Sequence, residues 1–231
     1  MPVTPNELAA GVVECLKAGA KAIHLHVRSV SNDEPVQSEK ESLFPEDIAL
    51  TLSAVFSVAP KTQIGISTGA WILPDTAARW QAVAAWKVLP GFASVNFGED
   101  GAVELAQLLL SRGVAVEAGI CDADAAEVFL KSGVLARCLR VLLEPQEQEI
   151  DRALETVSAI ERVLGSGAPP LPRLLHGTEA TVWPMIDEAI ARGYDVRVGL
   201  EDTIVMPDGS PARDNVELVT EAVRRVRAGG Q

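Results

Sequence analysis

Apolar residues along this chain fall into short continuous runs separated by longer stretches in which they recur every three or four positions. The runs Ala22–Val27, Gln63–Ser67, Ala93–Phe97, Val114–Glu117, Leu139–Leu143, Arg173–His176 and Val196–Leu200 have strand length and read as buried β-strands. Between them, Pro45–Val58, Asp75–Lys87, Val103–Arg112, Ala123–Ser132, Glu147–Leu164 and Thr181–Arg192 carry the helical period. A helix also opens the chain. Thr4 suits its N-cap, Pro5 its first position, Glu7 completes a capping box with Thr4, and Gly19 stops it. A last helix, Asn215–Arg227, closes the chain.

Strands alternating with helices of this length predict βα units on a parallel sheet. No linker or compositional break interrupts them, so residues 1–231 read as one domain. Polar residues sit at every strand's C-terminal end: His24, His26 and Arg28; Ser67, Thr68 and Gly69; Ser94, Asn96 and Gly98; Glu117 and Gly119; Glu144; His176; and Glu201 with Asp202. An open doubly wound sheet concentrates such residues at one switch point, whereas a barrel gathers all of them at one mouth. The expected fold is therefore a (β/α)₈ TIM barrel in which seven strands are visible, one short of eight.

Composition narrows the function classes. The 231 residues are 48% hydrophobic, 4% aromatic and 23% charged, as in a globular domain with a full core. A net charge of −12 without a basic aromatic cluster argues against nucleic acid and anionic membrane surfaces as partners. No apolar stretch approaches the ~18 residues of a membrane span, and the N-terminus lacks the pattern of a secretory signal. Cys15, Cys121 and Cys138 are odd in number and widely spaced, which suits a reducing, cytoplasmic compartment.

His24 and His26 are two of only three histidines. At i and i+2 of a strand their side chains leave one face, as a pair of metal ligands must. Two core histidines with hydrogen-bonded neighbours would be the structural alternative. Arg197-Val-Gly-Leu-Glu-Asp202 adds a carboxylate at the barrel mouth. Two imidazoles and one carboxylate with open positions describe a catalytic zinc or similar divalent site. An Arg197–Glu201 ion pair tying the rim is the competing reading, and it leaves the histidine pair unexplained.

His-Leu-His-Val-Arg at 24–28, Ile-Ser-Thr-Gly at 66–69, Ala-Ser-Val-Asn at 93–96, Val-Glu at 116–117 and Arg-Val-Gly-Leu-Glu-Asp at 197–202 resemble the β-keto acid cleavage enzymes. The best-known member class is the 3-keto-5-aminohexanoate cleavage enzyme. The resemblance implies a zinc-bearing (β/α)₈ barrel, usually a homotetramer. It implies a reaction that condenses a β-keto acid with acetyl-CoA and cleaves the product to acetoacetate and an acyl-CoA. His24, His26 and Glu201 would hold Zn²⁺ or another divalent metal. Ser67 and Ser94 would hold the substrate carboxylate, beside Thr68 and Asn96. Arg197 and Asp202 would form the acid–base pair, with Glu117 lining the same pocket. Family members carry one more strand before the Thr-Pro helix, so the Ala22 and Val196 strands are expected to flank a gap.

Glu144 and His176 depart from the small or apolar residues expected at those strand ends, and both are expected to contact the keto acid's side chain. Glu144 has Arg140 and Arg173 as alternative partners; His176 has Glu201, or the metal itself. Trp71, Trp80, Trp86 and Trp183 are expected to pack helices onto the barrel, with Trp71 near enough to Gly69 to line the mouth. The acidic run Ser38–Glu46 reads as a solvated loop and helix start, and in a barrel it follows the histidine strand. Two further functions remain open: a metal-dependent aldolase or lyase that needs no CoA, and a catalytically impaired barrel that binds metal.

Overall fold

The computed structural model describes residues 2–29, 40–165 and 170–229. Two compact units emerge, Met1–Val95 with Glu99–Val116, and Asn96–Gly98 with Glu117–Gln231. Seven parallel strands follow one another in chain order as sheet neighbours.

In the first unit, α1 (Pro5–Ala18) begins as its sequence dictates. The Thr4 hydroxyl accepts from the Glu7 amide at 3.3 Å, and the Glu7 carboxylate accepts from the Thr4 amide at 3.0 Å. Gly19 ends it in the left-handed region, φ +117°, where a side chain would be strained. β1 (Ala22–Leu25) pairs with β2 (Gln63–Ser67), which pairs with β3 (Phe92–Asn96). The registers set His24 beside Gly65 beside Phe92, and Ser67 beside Ser94. Gly65 is required here: a Cβ would fall 2.1 Å from the Phe92 ring. α2 (Pro45–Val58) packs against α1, while α3 (Thr76–Ala84) neighbours α4 (Ala102–Ser111). Asp75 caps α3 by accepting from the Ala78 amide at 2.7 Å, so that helix starts one residue later than its periodicity suggests.

In the second unit, β4 (Ala115–Ile120) pairs through Glu117–Ile120 with β5 (Arg140–Leu143), and β5 with β6 (Arg173–Leu175). These strands are buried almost throughout, which explains their unbroken apolar runs. α5 (Ala123–Lys131) packs on α6 (Ile150–Gly165), and α7 (Val182–Arg192) on α8 (Asn215–Gly229). Val182, Trp183, Ile186, Leu218 and Ala222 form the core between the last pair.

The last strand corrects the sequence reading. β7 is only Asp195–Val196, not Val196–Leu200. Beyond Val196 the chain finds local partners instead of a ladder: the Leu200 amide donates to Asn215 Oδ1 at 2.8 Å, and the Asp202 amide to the Gly199 carbonyl at 2.9 Å. Arg197 and Gly199 therefore lie in an irregular segment and Glu201 in the turn that follows it, all outside the strand. The tryptophans divide as well. Trp86 and Trp183 are buried, whereas Trp71 and Trp80 are exposed and do not serve as core.

Candidate active site

The first unit presents the histidine pair at the C-terminal end of β1. His24 lies within the strand and His26 one residue past it, with ring centroids 5.1 Å apart and edge to face. The His24 ring also lies 6.4 Å from that of Phe92. His26 Nδ1 is 2.9 Å from Glu41 Oε2, and the same carboxylate oxygen accepts the Trp71 indole N–H at 3.1 Å. The Trp71 ring stacks on His26 at 6.3 Å and 23°. Burial raises the Glu41 pKa, but the His26 hydrogen bond and charge, then Trp71 and Arg28, more than offset it, leaving a carboxyl below its ordinary range.

Ser67, Thr68 and Ser94 are buried beside these groups along the strand ends. Thr68 donates to the Ser94 carbonyl at 2.6 Å, so its hydroxyl proton ties β2 to β3. The loop after β2 is braced from beneath. Glu99 accepts from the Ala70 amide at 2.9 Å and from Arg79 at 3.1 Å.

The second unit gathers acids around two guanidinium groups. Arg197 Nη2 lies 3.6 Å from Glu201 Oε1 and 3.7 Å from Asp202 Oδ1. Burial works against its charge, yet the fields of Asp202, Glu201, Glu117 and Glu144 outweigh it and raise the Arg197 pKa. Glu117, only 1% exposed, accepts from Arg140 Nε at 2.5 Å, its cross-strand neighbour in register. His176 stands between two carboxylates, Nε2 3.6 Å from Glu144 and Nδ1 3.6 Å from Asp202. Glu144 Oε1 and Asn96 Oδ1 both overhang Gly119, within 2.6 Å of where a Cβ would stand.

Neither alternative partner foreseen for Glu144 is used in that way. Arg140 pairs with Glu117 and Arg173 with Glu161, while Glu144 faces His176. The carboxylate beside His176 is Asp202 rather than Glu201. Glu41 is the site residue that sequence reasoning missed, having passed as part of a solvated acidic run whose residues 38 and 39 lie outside the described residues. Its partnership arises where Arg28 and Glu41 form an antiparallel bridge, which no periodicity announces. Burial first, then Asp122 and Glu144, push the Cys121 thiol up to about 11, which disfavours its thiolate.

Two imidazoles beside each other, one of them oriented by a carboxylate, suit a divalent metal. The profile of the beta-keto acid cleavage enzyme family matches residues 1–231. The chain belongs to that family. Two 3-keto-5-aminohexanoate cleavage enzymes are similar along its whole length: that of Acetoanaerobium sticklandii is 26% identical over 248 residues, and that of Fusobacterium nucleatum subsp. nucleatum 28% over 251, each alignment covering 86% of the relative. Among solved structures, a ternary complex of ObcA with C4-CoA adduct and oxalate superposes with a TM-score of 0.78 at 17% identity, over 99% of this chain. The chain spans 64% of that protein's length. This β-keto acid cleavage enzyme thus has the (β/α)₈-barrel class of fold, with seven strands among the described residues. No helix among them is long and apolar enough to cross a membrane.

Proposed function

We propose that this β-keto acid cleavage enzyme condenses a β-keto acid with acetyl-CoA and cleaves the product to acetoacetate and an acyl-CoA, using zinc or a similar divalent ion held by His24, His26 and Glu201. The observation that carries the reading is the paired imidazoles at the end of β1, with His26 held by Glu41. His24 and His26 each offer a ring nitrogen and Glu201 a carboxylate oxygen, a donor set that suits such an ion. When bound, the ion supplies Lewis-acid polarisation of the keto group and stabilises negative charge.

The chain's own groups do the rest. Ser67 and Ser94, adjacent in register, hold the substrate carboxylate through their hydroxyls. Arg197 favours the ionised form of Asp202, which suits that residue to accept a proton during carbon–carbon bond chemistry. Glu117 keeps Arg140 and the Arg197 field in place behind them. Glu144, His176 and Asn96 face the side-chain end of the keto acid and favour a polar or cationic one, in keeping with the amino group named in the curated relatives' substrate. A CoA co-substrate draws support from the adduct in the ObcA complex. The reading extends to a homotetramer in the cytoplasm.

The test is a panel of β-keto acids incubated with the metal-loaded protein. Acetoacetate is expected only when acetyl-CoA is present. Cleavage at equal rate without CoA would overturn the reading in favour of an aldolase or lyase.

A further inference from the structure

Glu41 occupies a position that a solvated rim residue does not need. One of its carboxylate oxygens meets two aromatic nitrogens, His26 Nδ1 at 2.9 Å and Trp71 Nε1 at 3.1 Å. Its backbone is fixed as well. The Arg28–Glu41 bridge is flanked by the Ser29 amide donating to Lys40 O at 3.1 Å and the Ser42 amide donating to Val27 O at 2.8 Å. Trp71 is 57% exposed, yet its ring is folded back over Gly69, where a Cβ would lie 2.0 Å from it, and onto the face of His26. An exposed indole held this way buries little apolar area. What the arrangement secures is the orientation of one imidazole.

A carboxylate oxygen 2.9 Å from an imidazole's Nδ1 favours the tautomer that carries its proton on that nitrogen. Its Nε2 lone pair is then the one available to a metal, with raised basicity. We propose that Glu41 is the positioning residue for His26, fixing its tautomer and plane for a divalent transition ion, with Trp71 as the wall that holds the pair together. The inference rests on the metal-bound reading of His24 and His26 and adds a residue to it.

Zinc affinity decides it, measured by competition with a chromophoric chelator on the full-length protein, alongside thermal unfolding of the metal-free forms. Glu41→Ala is expected to weaken zinc binding about 10- to 100-fold while the metal-free melting curve stays close to the parent's. Glu41→Gln keeps an acceptor for the Nδ1 proton but loses the charge, and is expected to fall between. A purely structural Glu41 would do the reverse: both variants would bind zinc within twofold of the parent, and the metal-free melting temperature would drop. That result overturns the inference and leaves the metal reading standing. A parent protein that binds no divalent ion at all would overturn both.

Discussion

Glu117 carries a carboxylate into a strand where it is 1% exposed, and Arg140, its neighbour in register on β5, meets it at 2.5 Å. Removing one member of a buried pair strands the other's charge, at a cost of about 3 kcal/mol. Arg140→Met is therefore expected to lower unfolding stability by roughly that amount in urea, and adding Glu117→Gln to recover much of it. A single variant as stable as the parent would mean that Arg197 alone suffices for Glu117. The histidine pair was legible in the sequence because i and i+2 of a strand share a face whatever the surrounding fold. Arg140 and Glu41 were not. Partners such as Glu117–Arg140 depend on the register between two strands, and Glu41–His26 on a chain reversal, neither of which one sequence states.

Elements were more legible than partners. Gln63–Ser67 and Pro45–Val58 have the bounds their patterns predict, because a buried strand and an amphipathic helix opened by a proline are each specified locally. β7 failed because Asn215 and Gly199 offer the backbone after Val196 nearer partners than β6 does. Between α7 and α8 the polar network was invisible to periodicity. Glu221 accepts from Arg224 and Arg225, and Arg225 reaches Asp187 at 2.6 Å and stacks over Trp183. The Arg224 hydrogen bonds are the main cause lowering the Glu221 pKa to about 2; burial opposes them and Arg225 adds to them. A depressed carboxylate stabilises the fold above its unfolded value of 4.5 and loses that contribution as pH falls toward 2. Because Arg224, the main partner, is largely exposed, the contribution is about 1 kcal/mol. The stability gap between the parent and Glu221→Gln should be constant above pH 5 and close between 4.5 and 2. A gap that does not change with pH would refute the clamp.

At the scale of the molecule, chain-order parallel strands, polar C-terminal ends and a family match from residue 1 to 231 agree on a β-keto acid cleavage enzyme. The barrel class was readable because every strand end carried a polar residue, a distribution an open sheet does not produce. The partners at the far strand ends were not, because Glu144 faces His176 instead of Arg140 or Arg173, and His176 lies beside Asp202 instead of Glu201. His24, His26 and Glu201 are proposed to act as one metal site. Metal content after dialysis tests it most directly, by elemental analysis of the parent protein, His24→Ala, Glu201→Gln and His176→Asn. One zinc-class ion per chain is expected in the parent and in His176→Asn, with its loss in His24→Ala and Glu201→Gln; a Glu201→Gln protein that keeps its metal as tightly as the parent would rule out that site.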